Sequence, residues 1–177
     1  MKKFLLTLSM TALLLFTAGY SCPFSDKTAD SKSQMSTAKA SSAEVAPDFS
    51  YKELGSGKTM RLNDLKGKPV FINFWATWCP PCVGELPHIE KKYAEYKDKM
   101  HFVILSVDDN EQDPARFIQS KGYTFPAAYG DHQELGRAYG IDAIPASYII
   151  SADGHIVARI VGSMNESSLD AFLQKAF

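Results

Sequence analysis

Residues 69–82 read Pro69-Val70-Phe71-Ile72-Asn73-Phe74-Trp75-Ala76-Thr77-Trp78-Cys79-Pro80-Pro81-Cys82, and the fold turns on them. Pro69 to Trp75 is an apolar run interrupted by one polar residue, Asn73, the pattern of a central strand buried on both faces. A helical pattern begins directly behind Cys82 and runs to about Lys97, with Val83, Leu86, Ile89, Tyr93 and Tyr96 as its inward stripe and Pro87 as an expected kink. Strand, loop and helix in that order place Cys79 and Cys82 at a strand's carboxyl end and a helix N-terminus. Free backbone N–H groups and the positive end of the helix dipole favour a thiolate there, and the thiolate is the reactive form of cysteine.

A C-x-x-C pair by itself can be half a zinc site, a structural bridge or a redox dithiol. A zinc site needs about four ligands, and the chain has only one further cysteine, Cys22. A structural bridge across so short a loop removes little entropy from the unfolded chain. The position after a buried strand and at a helix start favours the redox dithiol. Cys79 precedes the first turn and reads as the nucleophile, whereas Cys82 lies one turn inside and reads as the resolving thiol. Pro80 and Pro81 carry no N–H, which leaves the amide of Cys82 and the helix dipole to stabilise a Cys79 thiolate.

Downstream, Phe102 to Val107 reads as a second strong strand ending in Asp108-Asp109, taken as ordinary strand-end acids. Asp113-Pro114 reads as N-cap and first-turn proline of a short helix, with Phe117 and Ile118 inward and Gly122 as its stop. A weak strand spans Phe125 to Tyr129, and a short helix runs from Gln133 to Tyr139, ended by Gly140. Ser147 to Ile150 and His155 to Val161 form a hairpin about Asp153-Gly154. Ser163-x-x-Glu166 reads as the capping box of a last helix, with Leu169, Phe172, Leu173 and Ala176 on one face. Upstream, Ala46 to Phe49 enters an extended segment that Gly55-Ser56-Gly57 turns back through Thr59 to Leu62, and Asn63 to Gly67 forms a short turn. Alternating helices and strands predict an α/β domain over residues 45–177, with a central mixed sheet flanked by helices on both faces and an N-terminal β-hairpin extension.

The chain of 177 residues is 45% hydrophobic and carries a formal net charge of −1, so no strong field favours nucleic acid. Three cysteines are too few for a disulfide scaffold, and nothing requires more than a monomer. Met1-Lys2-Lys3 followed by the apolar run Phe4 to Ala18 has the charge and length of an export signal. Gly19-Tyr20-Ser21-Cys22 resembles a bacterial lipoprotein site in which Cys22 takes the lipid, although Gly19 stands where such signals usually carry Leu. Ordinary cleavage near Gly19 or Ser21, or an uncleaved anchor, is the alternative for residues 1–22. Residues 23–44, rich in Ser, Lys, Asp, Thr and Ala, read as a solvated linker.

Trp78-Cys79-Pro80-Pro81-Cys82 behind an aromatic strand resembles the active site of the thioredoxin superfamily. Ala46-Pro47-Asp48-Phe49, Leu65-Lys66-Gly67-Lys68 and Cys82-x-x-Glu85-x-Pro87 narrow the resemblance to the TlpA/ResA-like thiol–disulfide oxidoreductases, over residues 45–177. It implies a thioredoxin-like fold, a redox-active Cys79–Cys82 disulfide with no organic cofactor or metal, and a cis-proline loop at Ile144-Pro145 that pairs with an extended substrate. Ala146 stands where a Thr usually follows that proline, so one polar contact is missing. Trp78 is expected to pack beside the disulfide and shape the docking surface. The resemblance also places Glu85 near the cysteines as a proton acceptor, where like charge would raise a thiol's pKa; the plain alternative is a solvated Glu at the start of the helix. Thioredoxins proper carry a buried Asp where this chain has Asn73, which cannot shuttle protons.

The family further implies a protein bearing disulfides as substrate, a membrane thiol transporter as electron donor, and a location in the bacterial cell envelope, extracytoplasmic and tethered at the N-terminus. Reduction of apocytochrome c is a frequent task of its members. Two other classes remain as expectations to weigh. A peroxiredoxin-like thiol peroxidase shares the Ala-Pro-Asp-Phe entry but needs a nearby arginine. A Cu(I)-handling thioredoxin-like module would bind through two thiolates, with wider cysteine spacing and a distant His.

Overall fold

The computed structural model describes residues 44–177. Seven strands and four α-helices follow in the order β1 (Ser50–Glu53), β2 (Thr59–Arg61), β3 (Val70–Trp75), α1 (Pro80–Tyr96), β4 (His101–Ser106), α2 (Gln112–Lys121), β5 (Ala127–Tyr129), α3 (His132–Tyr139), β6 (Ala146–Ile150), β7 (Ile156–Val161) and α4 (Glu166–Leu173). The strands form one mixed sheet of order β2-β1-β5-β4-β3-β6-β7. β3, β4 and β5 run parallel, and β6 pairs antiparallel with β3. The N-terminal hairpin is continuous with this sheet, because Lys52 and Glu53 of β1 pair with Tyr129 and Ala128 of β5.

The two-residue period of the strands divides the core. Phe71, Trp75, Phe102, Ile104 and Ile149 face a layer built from Leu86 and Ile89 of α1, Ile118 of α2 and Leu169 of α4. Val70, Ile72, Phe74, Val103, Leu105, Tyr148 and Ile150 face Leu135 and Tyr139 of α3 and Phe49 and Tyr51 of the hairpin. Helices therefore cover both faces, as the apolar run of β3 predicts.

Several local expectations need correction. α2 starts at Gln112, not behind an Asp113 cap, because Asn110 Oδ1 accepts from the amides of both Gln112 and Asp113 at 3.0 Å and takes the capping role first. α4 is capped by Asn165, whose Oδ1 accepts from Ser168 N at 2.9 Å, and not by a Ser163 box. Asn165 is extended (φ −78°, ψ 174°), as an N-cap must be, which leaves Ser163 outside the helix. On α1, Val83 and Tyr93 are only half-buried, while Glu85 and Lys92 are buried in the same stripe. Lys92 is held there by Glu95 at 2.8 Å and Asp170 at 2.9 Å. Pro87 lies inside α1, as the sequence predicts, and is exposed.

Candidate active site

The carboxyl ends of β3 and β4 and the start of α1 meet at the two cysteines. Cys79 is the extended N-cap residue of α1, with Pro80 and Pro81 in its first turn. Cys79 and Cys82 are joined in a disulfide. Cys82 N donates to Cys79 Sγ at 3.3 Å, so the one amide that the two prolines leave in the first turn is aimed at the outer sulfur. Cys79 keeps 5% of its surface exposed and Cys82 only 1%. Cys79 is therefore the more exposed residue of the pair.

A second loop closes over this pair. The Ile144–Pro145 peptide bond is cis, and the Ile144 carbonyl oxygen lies 3.8 Å from Cys79 Sγ. Gly162 N donates to Pro145 O at 2.8 Å, tying this loop to the end of β7. Ala146, directly after the proline, is buried and pairs with Phe74 of β3. Trp78 beside Cys79 is 66% exposed, whereas Trp75 is wholly buried in the core.

Behind the disulfide lies a buried polar group. Glu85 sits three residues past Cys82 on the same helix face and is only 1% exposed. Its Oε1 accepts from Met164 N at 3.1 Å and its Oε2 from Asn73 Nδ2 at 3.3 Å. Asn73 Nδ2 also donates to Ser147 Oγ at 2.9 Å, and Asn73 Oδ1 has no partner among the described residues. Burial pushes the Glu85 carboxyl up to about 7, against the two donors, which pull it down. The solvated helix-start glutamate is thus replaced by a carboxyl poised to gain or lose a proton near neutrality.

One clamp was not legible in the sequence. Asp108 is buried just past β4 and accepts from Thr77 N at 3.1 Å, Thr77 Oγ1 at 2.6 Å and Ser106 Oγ at 2.7 Å. It fixes the residue two before Cys79, which is more than an ordinary strand-end acid does. Its placement at the strand end beside the cysteine loop was the only signal. Cys22 and the segments 1–22 and 23–43 lie outside the described residues. Among the described residues no group of three or more His, Cys, Asp or Glu side chains is set to hold a metal, and no helix is long and apolar enough to cross a membrane.

A cysteine pair at this corner of a thioredoxin-like sheet, one sulfur outward and one inward, defines a thiol–disulfide oxidoreductase. The sequence comparisons agree. The family model described as Redoxin matches residues 39–173. The thiol-disulfide oxidoreductase ResA of Bacillus thuringiensis (strain Al Hakam) is 37% identical over 131 residues, 73% of this chain and 75% of that protein. The ResA of Halalkalibacterium halodurans is 34% identical over 174 residues, 98% of this chain and 94% of its own. Among solved structures, the pneumococcal exposed lipoprotein thioredoxin Etrx1 of Streptococcus pneumoniae superposes with a TM-score of 0.64 at 26% identity, covering 73% of this chain and 99% of its own. The chain belongs to the redoxin family, among its ResA-like thiol–disulfide oxidoreductases.

Proposed function

We propose that this protein is a reductant of protein disulfides held at the outer face of a bacterial membrane. The Cys79 thiolate attacks one sulfur of a partner's disulfide. A Cys79–partner bond forms, and the partner's other sulfur leaves as a thiolate. Cys82 gives up its proton, with Glu85 as the acceptor, and attacks Cys79 Sγ. The partner's second sulfur leaves, two electrons have passed to the partner, and the Cys79–Cys82 disulfide remains. Trp78, Ile144 and Pro145 flank Cys79 as the surface on which the partner's chain lies.

The arrangement of the two sulfurs carries this assignment: Cys79 outermost beneath the cis-proline loop, with the Cys82 amide directed at its sulfur at 3.3 Å. Glu85 supports the proton step because a carboxyl with a pKa of about 7 is matched to a task near neutral pH. Export and tethering rest on the Lys2-Lys3 and Phe4 to Ala18 leader, and lipidation at Cys22 on the Gly19 to Cys22 stretch together with the description of Etrx1 as a lipoprotein. Residues 23–44 would then be the tether and residues 45–177 the working domain. A membrane thiol transporter as electron donor and apocytochrome c as substrate follow from the family resemblance alone. Against the peroxidase, the hydrogen-bond partners of Cys79 Sγ among the described residues are Cys82 N and Ile144 O, and neither is an arginine; the C-x-x-C spacing is narrower than a copper module's.

The test is the reduction potential of the Cys79–Cys82 couple, titrated against a thiol buffer with tryptophan fluorescence as readout. A value near or below about −230 mV supports a reductant; a value near about −120 mV means an oxidant and sinks the proposed direction.

A further inference from the structure

Beside the dithiol lies a groove of about 480 Å³, lined by Trp78, Val107, Asp109, Ile141, Asp142, Ile144 and, from α3, His132 and Gly136. It begins where the reaction takes place: Trp78 adjoins Cys79, and the Ile144 carbonyl is 3.8 Å from Cys79 Sγ. Its floor is apolar, from Val107, Ile141, Ile144 and the Trp78 ring. Asp109 and Asp142 supply its acidic groups, no lysine or arginine lines it, and neither acid makes an ion pair among the described residues. Among the described residues the two acids therefore have no lysine or arginine partner, and His132 is the one basic side chain in the lining.

Gly136 points separately to an occupant. It lies in the interior of α3, where glycine is among the least favourable residues. No positive φ requires it, and an added Cβ would meet nothing within 4 Å. Neither the backbone nor the packing of the protein calls for glycine at this position. Its missing side chain leaves open space in the groove wall, one turn from His132 on the same helix face.

We propose that this groove takes the side chain next to the reactive cysteine in the substrate's disulfide, and that this side chain is lysine or arginine. The inference rests on the protein acting as a protein-disulfide reductant and specifies which disulfides it selects. The alkyl stem of the basic residue lies on Val107, Ile141 and Ile144, as long cationic side chains do on apolar surface. The charged head meets Asp109 and Asp142 and the face of Trp78. The substrate backbone runs along the Ile144-Pro145 loop, which delivers its disulfide to Cys79.

The experiment uses the reduced full chain and three disulfide-bridged peptides identical except for Arg, Leu or Glu beside the attacked cysteine. Second-order rates are read by stopped-flow tryptophan fluorescence, alongside hydroxyethyl disulfide as a small neutral substrate. The Arg peptide is expected to react on the order of tenfold faster than the Glu peptide at low salt, with Leu between them and the ratio shrinking as salt is added. In the Asp109→Asn/Asp142→Asn double variant the Arg-to-Glu ratio falls toward one. Gly136→Leu places a side chain at the groove and abolishes the Arg advantage; the thermal midpoint should not fall, because a Cβ there meets nothing within 4 Å and leucine is favoured over glycine inside a helix. Ready reduction of hydroxyethyl disulfide with no Arg preference, or a preference that survives in the double variant, overturns the groove's role alone. Failure to reduce hydroxyethyl disulfide and all three peptides sinks the reductant assignment, and the groove's role with it.

Discussion

Replacing Glu85 by Gln should change the sign of this protein's stability difference from wild type as pH rises. In the folded chain burial raises the Glu85 carboxyl from 4.5 to about 7, so the folded state holds a proton that the unfolded state has already released. Between those two values the unfolded chain binds fewer protons, and stability falls as pH rises. The contribution is fully present below about pH 4.5 and lost above about pH 7. At about 1.4 kcal/mol per pH unit, the shift from 4.5 to about 7 corresponds to about 3 kcal/mol. Gln cannot ionise, but its NH2 must face one of the two donors, Met164 N or Asn73 Nδ2, where the hydroxyl oxygen of the protonated carboxyl can still accept, a loss of about 1 kcal/mol. Wild type should therefore be more stable than Glu85→Gln by about 1 kcal/mol near pH 4.5 and less stable by about 2 kcal/mol above pH 7.5. Urea unfolding of the oxidised proteins at half-unit steps from pH 4.5 to 8.5 measures this. Subtracting the variant removes groups common to both, including His101, which burial and then Lys68 hold below the usual histidine range. A difference curve that stays flat across the interval would refute the buried, proton-holding carboxyl.

Two further outcomes test the site. Cys82→Ser should accumulate a mixed disulfide between Cys79 and a disulfide-bearing partner, visible on non-reducing gels and by mass spectrometry, whereas Cys79→Ser should not; the reverse pattern would exchange the roles of nucleophile and resolving thiol. Thr77→Val removes the hydroxyl that donates to Asp108 at 2.6 Å and should cost about 1.5–3 kcal/mol in urea unfolding at constant m, the usual range for a bond to a charged group; an unchanged midpoint would mean that Asp108 does not hold the cysteine loop.

Much of the site was legible because it is local. Cys79 and Cys82 lie one turn apart, the apolar run into Trp75 needs no partner to be recognised as a buried strand, and Pro80 and Pro81 point to the Cys82 amide by their own lack of N–H groups. The caps show where local reading reaches its limit. Asp113 and Ser163 both fit N-cap preferences, yet Asn110 and Asn165 hold those helix starts. Several side chains compete within a few residues, and local preference does not say which of them the backbone brings to the free amides.

The sequence alone determined the order of strands and helices, the placement of the dithiol at a helix N-terminus, and the assignment of Cys79 as the outer sulfur. Those features depend on period and spacing within about twenty residues. Tertiary structure decided the rest. Glu85 is buried because Asn73, twelve residues away, and Met164, 79 residues away, converge on it. Asp108 reaches back across 31 residues to Thr77. The hairpin joins the sheet because β5 arrives beside β1. A carboxyl's pKa and the shape of a groove are set by what surrounds them, and those surroundings come from chain segments that meet only when the sheet assembles.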